Sequence, residues 1–143
     1  MRHIRQHMQA VAATIAMGVV VSGCATDTGT AADAFTARVV INDQEMPTTY
    51  SVQCSQQGWF WTIETLPPAP GFTAIVQTGG TVTPEVMRIQ DLAGFTGSSS
   101  EEATDTQASI DGTTFHMSGT AHGSFADRPT KAAEVRYRME ARC

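Results

Sequence analysis

The last eleven residues of the chain alternate strictly between two kinds of side chain. Every odd position from 133 to 143 is alanine, valine, tyrosine, methionine or cysteine, and every even position between them is glutamate or arginine. Successive side chains of a β-strand point to opposite faces of a sheet. A two-residue period with one charged face therefore predicts a half-buried antiparallel strand that ends the chain.

Shorter segments carry weaker strand signals. Asp111-Gly112 supplies the positive φ angles of a tight turn and predicts a hairpin between residues 108–110 and 113–118. Residues 83–92 are ambiguous, because Pro84 could begin a helix, but we favour a strand. Other strands are predicted at residues 38–41, 50–54, 59–65 and 72–77.

The spacing of these strands indicates the fold class. Seven to eight short strands separated by turns predict an all-β domain, either an antiparallel sandwich or an open barrel. Residues 98–100 and 121–131 are rich in serine, glycine and polar residues, and we interpret both segments as loops.

Two cysteines lie on inward-facing strand positions. Cys143 lies at an odd position, like the apolar residues of the last strand. Cys54 lies at an even position, like the apolar residues Tyr50 and Val52. Two cysteines on two apolar faces can meet in one core, so we predict a Cys54–Cys143 disulfide. The alternative is two separate buried thiols.

The third cysteine follows an N-terminal leader. Arg2 and Arg5 precede an apolar stretch from residue 10 to 21, which is shorter than the roughly 20 residues that a membrane-spanning helix needs. This pattern is typical of a signal peptide. Val21-Ser22-Gly23-Cys24 then reads as a bacterial lipobox, which predicts cleavage before Cys24 and acylation of its thiol. The alternative is an ordinary signal peptide with a chance cysteine.

These features divide the chain into a lipoprotein signal peptide (1–23), a flexible threonine- and alanine-rich linker (24–37) and one small β domain (38–143). All fourteen acidic residues but only seven of the nine basic residues follow Gly23, so the mature chain has a formal charge of −7. Such a surface repels nucleic acid and anionic lipid headgroups. We therefore expect no nucleic-acid partner, and we expect N-terminal acyl chains such as palmitate to supply the membrane attachment.

The mature chain shows few groups suited to catalysis. Its two histidines, His116 and His122, have a spacing that fits no common metal motif, and the serines at 98–100 lack the nucleophile-elbow pattern. We interpret His116 as an outward-facing strand residue and His122 as a loop residue. The expectation is a protein that is not an enzyme, with no catalytic residue, no metal and no cofactor.

One aromatic cluster, Trp59-Phe60-Trp61, is unusual. Strand alternation predicts that Trp59 and Trp61 point inward and that Phe60 points outward. Together with the proline-rich residues 66–70, the cluster could form an apolar patch for a partner or ligand. The alternative is that these aromatics serve packing.

Several segments, taken in order, resemble one known family. They are Val52-Gln53-Cys54, Gly71-Phe72-Thr73-Ala74-Ile75-Val76, Pro84-Glu85-Val86, the Asp111-Gly112 turn, Ser118-Gly119-Thr120-Ala121-His122-Gly123 and Glu140-Ala141-Arg142-Cys143. With a lipobox ahead of them, they resemble the mycobacterial nineteen-kilodalton lipoprotein antigen family from about Val39 to Cys143. The resemblance implies a mycobacterial surface lipoprotein with no known enzymatic activity, glycosylated in its linker and recognised through its acyl groups by host Toll-like receptor 2.

The resulting hypothesis is an acylated lipoprotein on the extracytoplasmic face of the cell membrane or in the outer envelope. Its β domain would be a noncatalytic antigen or interaction module. The alternative function is a lipid or glycolipid carrier with a cavity between sheets.

Overall fold

The computed structural model describes residues 35–100 and 102–143, which form ten strands and no helix. The strands are β1 (Thr36–Ile41), β2 (Gln44–Glu45), β3 (Tyr50–Gln57), β4 (Phe60–Thr65), β5 (Gly71–Gln77), β6 (Thr83–Leu92), β7 (Phe95–Ser100), β8 (Gln107–Asp111), β9 (Thr114–Phe125) and β10 (Arg128–Arg142). All pairings are antiparallel, which confirms the predicted all-β class. The strand prediction for residues 83–92 is also confirmed, since β6 covers this range.

The prediction of a loop at residues 121–131 is wrong. Strand β9 continues to Phe125, a short turn follows, and β10 already begins at Arg128. The two strands pair at Arg128↔Phe125 and, after an irregularity at residues 129–132, continuously from Ala133↔Gly123 to Arg142↔Thr114. Glycine and alanine lower the strand propensity of residues 119–123, but this pairing determines their conformation. The serines at 98–100 are likewise the end of a strand, β7, rather than a loop.

The hydrogen-bonded ladders form a closed circuit. The strand order runs β10-β1-β3-β4-β5-β6-β7-β9, and β9 pairs in turn with β10. Strand β8 pairs with the first half of β9, and β2 pairs with the end of β1. The long β9–β10 hairpin therefore joins the two ends of the sheet, and one continuous inner face encloses the core.

The core contains the inward-facing residues of every long strand. Phe72, Ile63, Met87 and Tyr137 are among the largest fully buried side chains. Each such apolar side chain stabilises the folded state by about 1.5–3 kcal/mol relative to exposure. In β10 the odd positions from 135 to 141 are buried and the even positions are exposed, which confirms the alternation seen in the sequence.

Two glycines lie opposite each other where β7 meets β9. Gly97 pairs with Gly123, and a Cβ atom added at Gly123 would overlap the Thr96 carbonyl. A Cβ added at Gly97 would overlap the His122 carbonyl. These neighbours are backbone atoms and cannot rotate away, so the approach of β7 to β9 requires residues without a side chain.

We expect Gly123→Ala to lower the free energy of unfolding by about 1–3 kcal/mol, because the added methyl group forces the two backbones apart. Gly80→Ala is the matched control, since a Cβ there meets nothing within 4 Å. Urea denaturation of the two variants and the unsubstituted protein measures the difference. Equal stability of both variants would contradict the role assigned to this glycine pair.

Candidate functional site

Cys24 and most of the predicted linker lie outside the described residues. The structure does show where the chain joins the domain. The Phe35 carbonyl accepts a hydrogen bond from the Val52 N–H at 3.1 Å, and Thr36 pairs with Arg142 in β10. The segment that begins at Cys24 therefore reaches the sheet beside the last residues of the chain.

The same end of the sheet carries the disulfide. Cys54 in β3 and Cys143 are bonded, with their Cα atoms 6.0 Å apart. The Cys143 N–H also donates to the Thr113 carbonyl in the β8–β9 turn, at 2.9 Å. We call this part of the molecule the disulfide end. It comprises the Cys54–Cys143 bridge and the turns at residues 58–59, 78–82 and 112–113.

Trp59 does not point inward as predicted. It lies in the turn before β4 and is 64% exposed, because Gly58 adopts a φ of 59° and reverses the chain there. The strand alternation thus begins only at Phe60, which is also exposed. The Trp59 ring packs over Gly79, with ring atoms 3.7–4.0 Å from the position that a Cβ would occupy.

Trp61 does face the interior. Its ring centroid lies 5.2 Å from that of Phe115, with the planes tilted by 52°. Phe115 thus occupies the space behind Trp61. These two rings and the disulfide close the core at the disulfide end.

Residues 66–70 do not join the tryptophans in one patch. They follow the opposite end of β4, where the Leu66 N–H donates to the Ser51 carbonyl at 2.8 Å. Leu66 is exposed there. The single apolar patch predicted from sequence is therefore wrong, because the full length of β4 separates its two halves.

Both histidines lie on the outward face of β9. In the register, Glu140 of β10 lies between His116 of β9 and Arg38 of β1. His122 is a strand residue rather than a loop residue, and its Nδ1 lies 3.2 Å from a carboxylate oxygen of Glu134. Residues 35–100 and 102–143 contain no group of three or more His, Cys, Asp or Glu side chains that could hold a metal ion.

His116 lines a groove that sequence analysis did not find. The groove has a volume of about 460 Å³ and crosses the outward faces of β8, β9, β10 and β1. Charged side chains of both signs line it, among them Arg38, Glu45, Arg138 and Glu140. A second depression of about 250 Å³ shares Arg138 with it and includes Asp43 and Arg136.

Two exposed ion pairs lie in these depressions. Arg38 pairs with Glu45 in the groove, and Arg136 pairs with Asp43 in the second depression. Exposed pairs of this kind contribute only about 0–1 kcal/mol each. In the part of the chain that the structure describes, no serine or cysteine side chain is hydrogen bonded to either histidine. The groove therefore presents a polar, charge-balanced surface.

A buried hydrogen bond between two side chains joins β7 to β10. The hydroxyl groups of Ser99 and Tyr137 are 2.7 Å apart. Burial raises the pKa of Tyr137 above its ordinary value, and the Ser99 hydrogen bond partly opposes that shift. Ser99 thus satisfies a buried phenol.

The family comparison agrees with the resemblance found in the sequence. A family model described as Mycobacterium 19 kDa lipoprotein antigen matches residues 30–143. The chain belongs to this family. A protein of Mycobacterium avium subsp. hominissuis (strain TH135) named "Putative lipoprotein" is 33% identical over 110 residues, which cover 76% of each chain. A protein of the same name from Mycobacterium indicus pranii is 28% identical over 110 residues, or 76% of this chain and 78% of the relative.

The family is described as a lipoprotein antigen and both relatives are named as lipoproteins, which supports a lipoprotein associated with the cell envelope. Within the described residues of this family member, no helix is long and apolar enough to cross a membrane.

We expect the loss of the disulfide to destabilise the domain strongly. The bridge spans 89 residues in sequence, and the chain-entropy model gives about 4–5 kcal/mol for a loop of that length. Guanidinium denaturation of the Cys54→Ala/Cys143→Ala variant against the oxidised protein measures the effect, with the reduced protein as the control. A loss below about 1 kcal/mol would show that the core closes without the bridge.

Proposed function

We propose that the chain is an acylated cell-envelope lipoprotein, held through Cys24 on the extracytoplasmic side of the membrane, with a noncatalytic β domain. The observation that carries this proposal is the family match over residues 30–143, directly behind the lipobox at Val21–Cys24. One acyl chain gives only marginal membrane binding, whereas two or more hold a protein firmly. A diacylglyceryl group on the Cys24 thiol carries two chains and would thus be sufficient for anchoring.

The disulfide supports an extracytoplasmic location. Disulfides persist in oxidising compartments and are rare in the cytosol of mesophiles. The Cys54–Cys143 bridge joins two distant parts of the domain at the point where the chain from Cys24 arrives. A domain closed in this way suits the cell surface, where stability cannot depend on chaperones.

The chemistry of the outward face favours a noncatalytic domain. His122 lies beside Glu134 with both side chains about two-thirds exposed, so water screens their interaction. Catalytic acids and bases normally depend on burial or fixed partners that adjust their pKa values. The exposed strands are better suited to display a polar surface to antibodies or partners.

The lipid-carrier alternative receives less support. A carrier needs an apolar cavity, but Phe115 fills the space behind Trp61. The groove lies on the outside and is lined by charged residues. We therefore favour the anchored antigen over the carrier.

The proposal also includes recognition of the protein by Toll-like receptor 2. The acyl groups, rather than the β domain, would be the part of the molecule that such a receptor binds. The domain would then contribute the antigenic surface and hold no receptor site of its own.

We expect Cys24→Ala to remove the protein from the membrane fraction, because no thiol remains to receive the lipid. Expression in a mycobacterial host, followed by membrane fractionation and carbonate extraction, measures this. Thr26→Ala is the matched control, since it alters a nearby small polar residue and leaves the lipobox intact. Membrane retention of Cys24→Ala equal to that of the control would refute acyl anchoring.

The same two variants test receptor recognition. Purified Thr26→Ala protein should activate reporter cells that express Toll-like receptor 2, and purified Cys24→Ala protein should not. Equal activation by both variants would place recognition in the β domain instead.

A further inference from the structure

The groove on the outward face of β8, β9, β10 and β1 is built from two rows of side chains. The register places one residue of each strand in each row, and directly opposite residues share a face of the sheet. The first row comprises Ser109, His116, Glu140 and Arg38, and the second comprises Gln107, Ser118, Arg138 and Val40. All eight line the same groove. Because the rows lie two residues apart along each strand, about 7 Å separates them.

Six polar side chains of these rows have no partner within the protein. None of the six makes a side-chain hydrogen bond or an ion pair with any of residues 35–100 and 102–143. They are Gln107, Ser109, His116, Ser118, Arg138 and Glu140.

Polar side chains beside the groove, in contrast, are paired with one another. His122 lies against Glu134. The Thr120 hydroxyl donates to the Asp105 carboxylate. The groove therefore differs from the surface next to it, because its hydrogen-bonding groups are available to a ligand.

The groove is concave, with its centre over β9. His116 and Ser118 of β9 are half-buried, whereas Ser109 on one side and Arg138 and Glu140 on the other are exposed. The volume of about 460 Å³ falls within the range of small-ligand sites, about 300–1,000 Å³. A ligand over β9 would thus lie between side chains of β8 and β10.

The lining favours a polar ligand without net charge. Sites for apolar ligands are lined mainly by hydrophobic and aromatic side chains, but none of the described residues that line this groove is Phe, Tyr or Trp. Two arginines and two glutamates in the lining balance each other. The formal charge of −7 on the mature chain also disfavours an anionic ligand.

The free groups require a ligand that both donates and accepts hydrogen bonds. Arg138 can only donate, Glu140 can only accept, and the serine hydroxyls do both. Sugar hydroxyls also do both, and two neighbouring hydroxyls on one ring can bind a carboxylate or a guanidinium at two points. A peptide could not add here as a strand, because β9 and β10 already have strand partners on both edges.

We propose that this groove binds an uncharged oligosaccharide. Arg138 and Glu140 hydrogen bond to its hydroxyl groups from β10, Ser109 does so from β8, and His116 contacts it from the centre. Each of these residues lies in the β domain, so the inference goes beyond the proposed lipid anchoring and does not depend on it. The domain would then attach its outward face to a glycan.

The test applies the full-length protein, in a sugar-free zwitterionic detergent, to an array of immobilised ligands. The array carries neutral, uronate-bearing and phosphorylated oligosaccharides together with short peptides, and an antibody detects bound protein whether or not it is acylated. We expect retention on neutral oligosaccharides. The same oligosaccharide in solution should compete for binding, and inorganic phosphate should not.

Matched substitutions assign the binding to the groove. Arg138→Met and Glu140→Gln should each weaken retention at least about tenfold, because each removes a hydrogen bond made by a charged group. Arg88→Met is the control, since Arg88 is an exposed arginine of β6 outside the groove. It should bind like the unsubstituted protein. Equal urea midpoints would show that all three variants remain folded.

The remaining outcomes contradict the proposal. Retention on none of the oligosaccharides would overturn it, and preferential retention on acidic oligosaccharides or peptides would assign the groove a ligand of another class. Neutral-glycan binding that Arg138→Met and Glu140→Gln leave unchanged would place the contact elsewhere on the protein. Anchoring stands or fails separately, by the membrane fractionation of Cys24→Ala.

Discussion

The pairing of β9 with β10 is the interaction on which the rest of the fold depends. It joins the last two strands from Arg128↔Phe125 to Arg142↔Thr114 and so connects β1 on one side with β7 on the other. Without this ladder the strand order would have two open edges, and the buried face would lose its closure. The ladder also carries Cys143 to the position where it meets Cys54, and it places Thr36 beside Arg142 where the tether arrives.

The parts of the fold that were predictable from sequence are those with a charged and an apolar face. The alternation in β10 and the parity of Cys54 and Cys143 depend only on the two-residue period of a strand. The continuation of β9 past residue 121 was not predictable in this way, since glycine and alanine there suggest a loop. Those small residues are present because the backbones of β7 and β9 meet at Gly97 and Gly123, a contact between strands distant in sequence.

The candidate sites also divide into features that local sequence reveals and features that only contacts between distant strands create. The family was recognisable from short motifs, whereas the acylation of Cys24 stays a prediction. Trp59 was misassigned because the alternation was counted through a turn, although Gly58 was a signal that could have marked it. The groove was missed because its lining residues come from strands distant in sequence, such as Arg38 of β1 and His116 of β9. Only the closed circuit brings these side chains to one face.

Together these features describe a compact, disulfide-closed domain of the mycobacterial 19 kDa lipoprotein antigen family, for which we propose attachment to the envelope by lipid at one cysteine. The most direct measurement is the intact mass of the mature protein isolated from mycobacterial membranes without reductant, with and without thiol alkylation. The account predicts a chain that lacks residues 1–23, carries acyl groups on Cys24 and takes up no alkylating agent. A chain that retains its leader, carries no lipid and alkylates at Cys54 or Cys143 would contradict it.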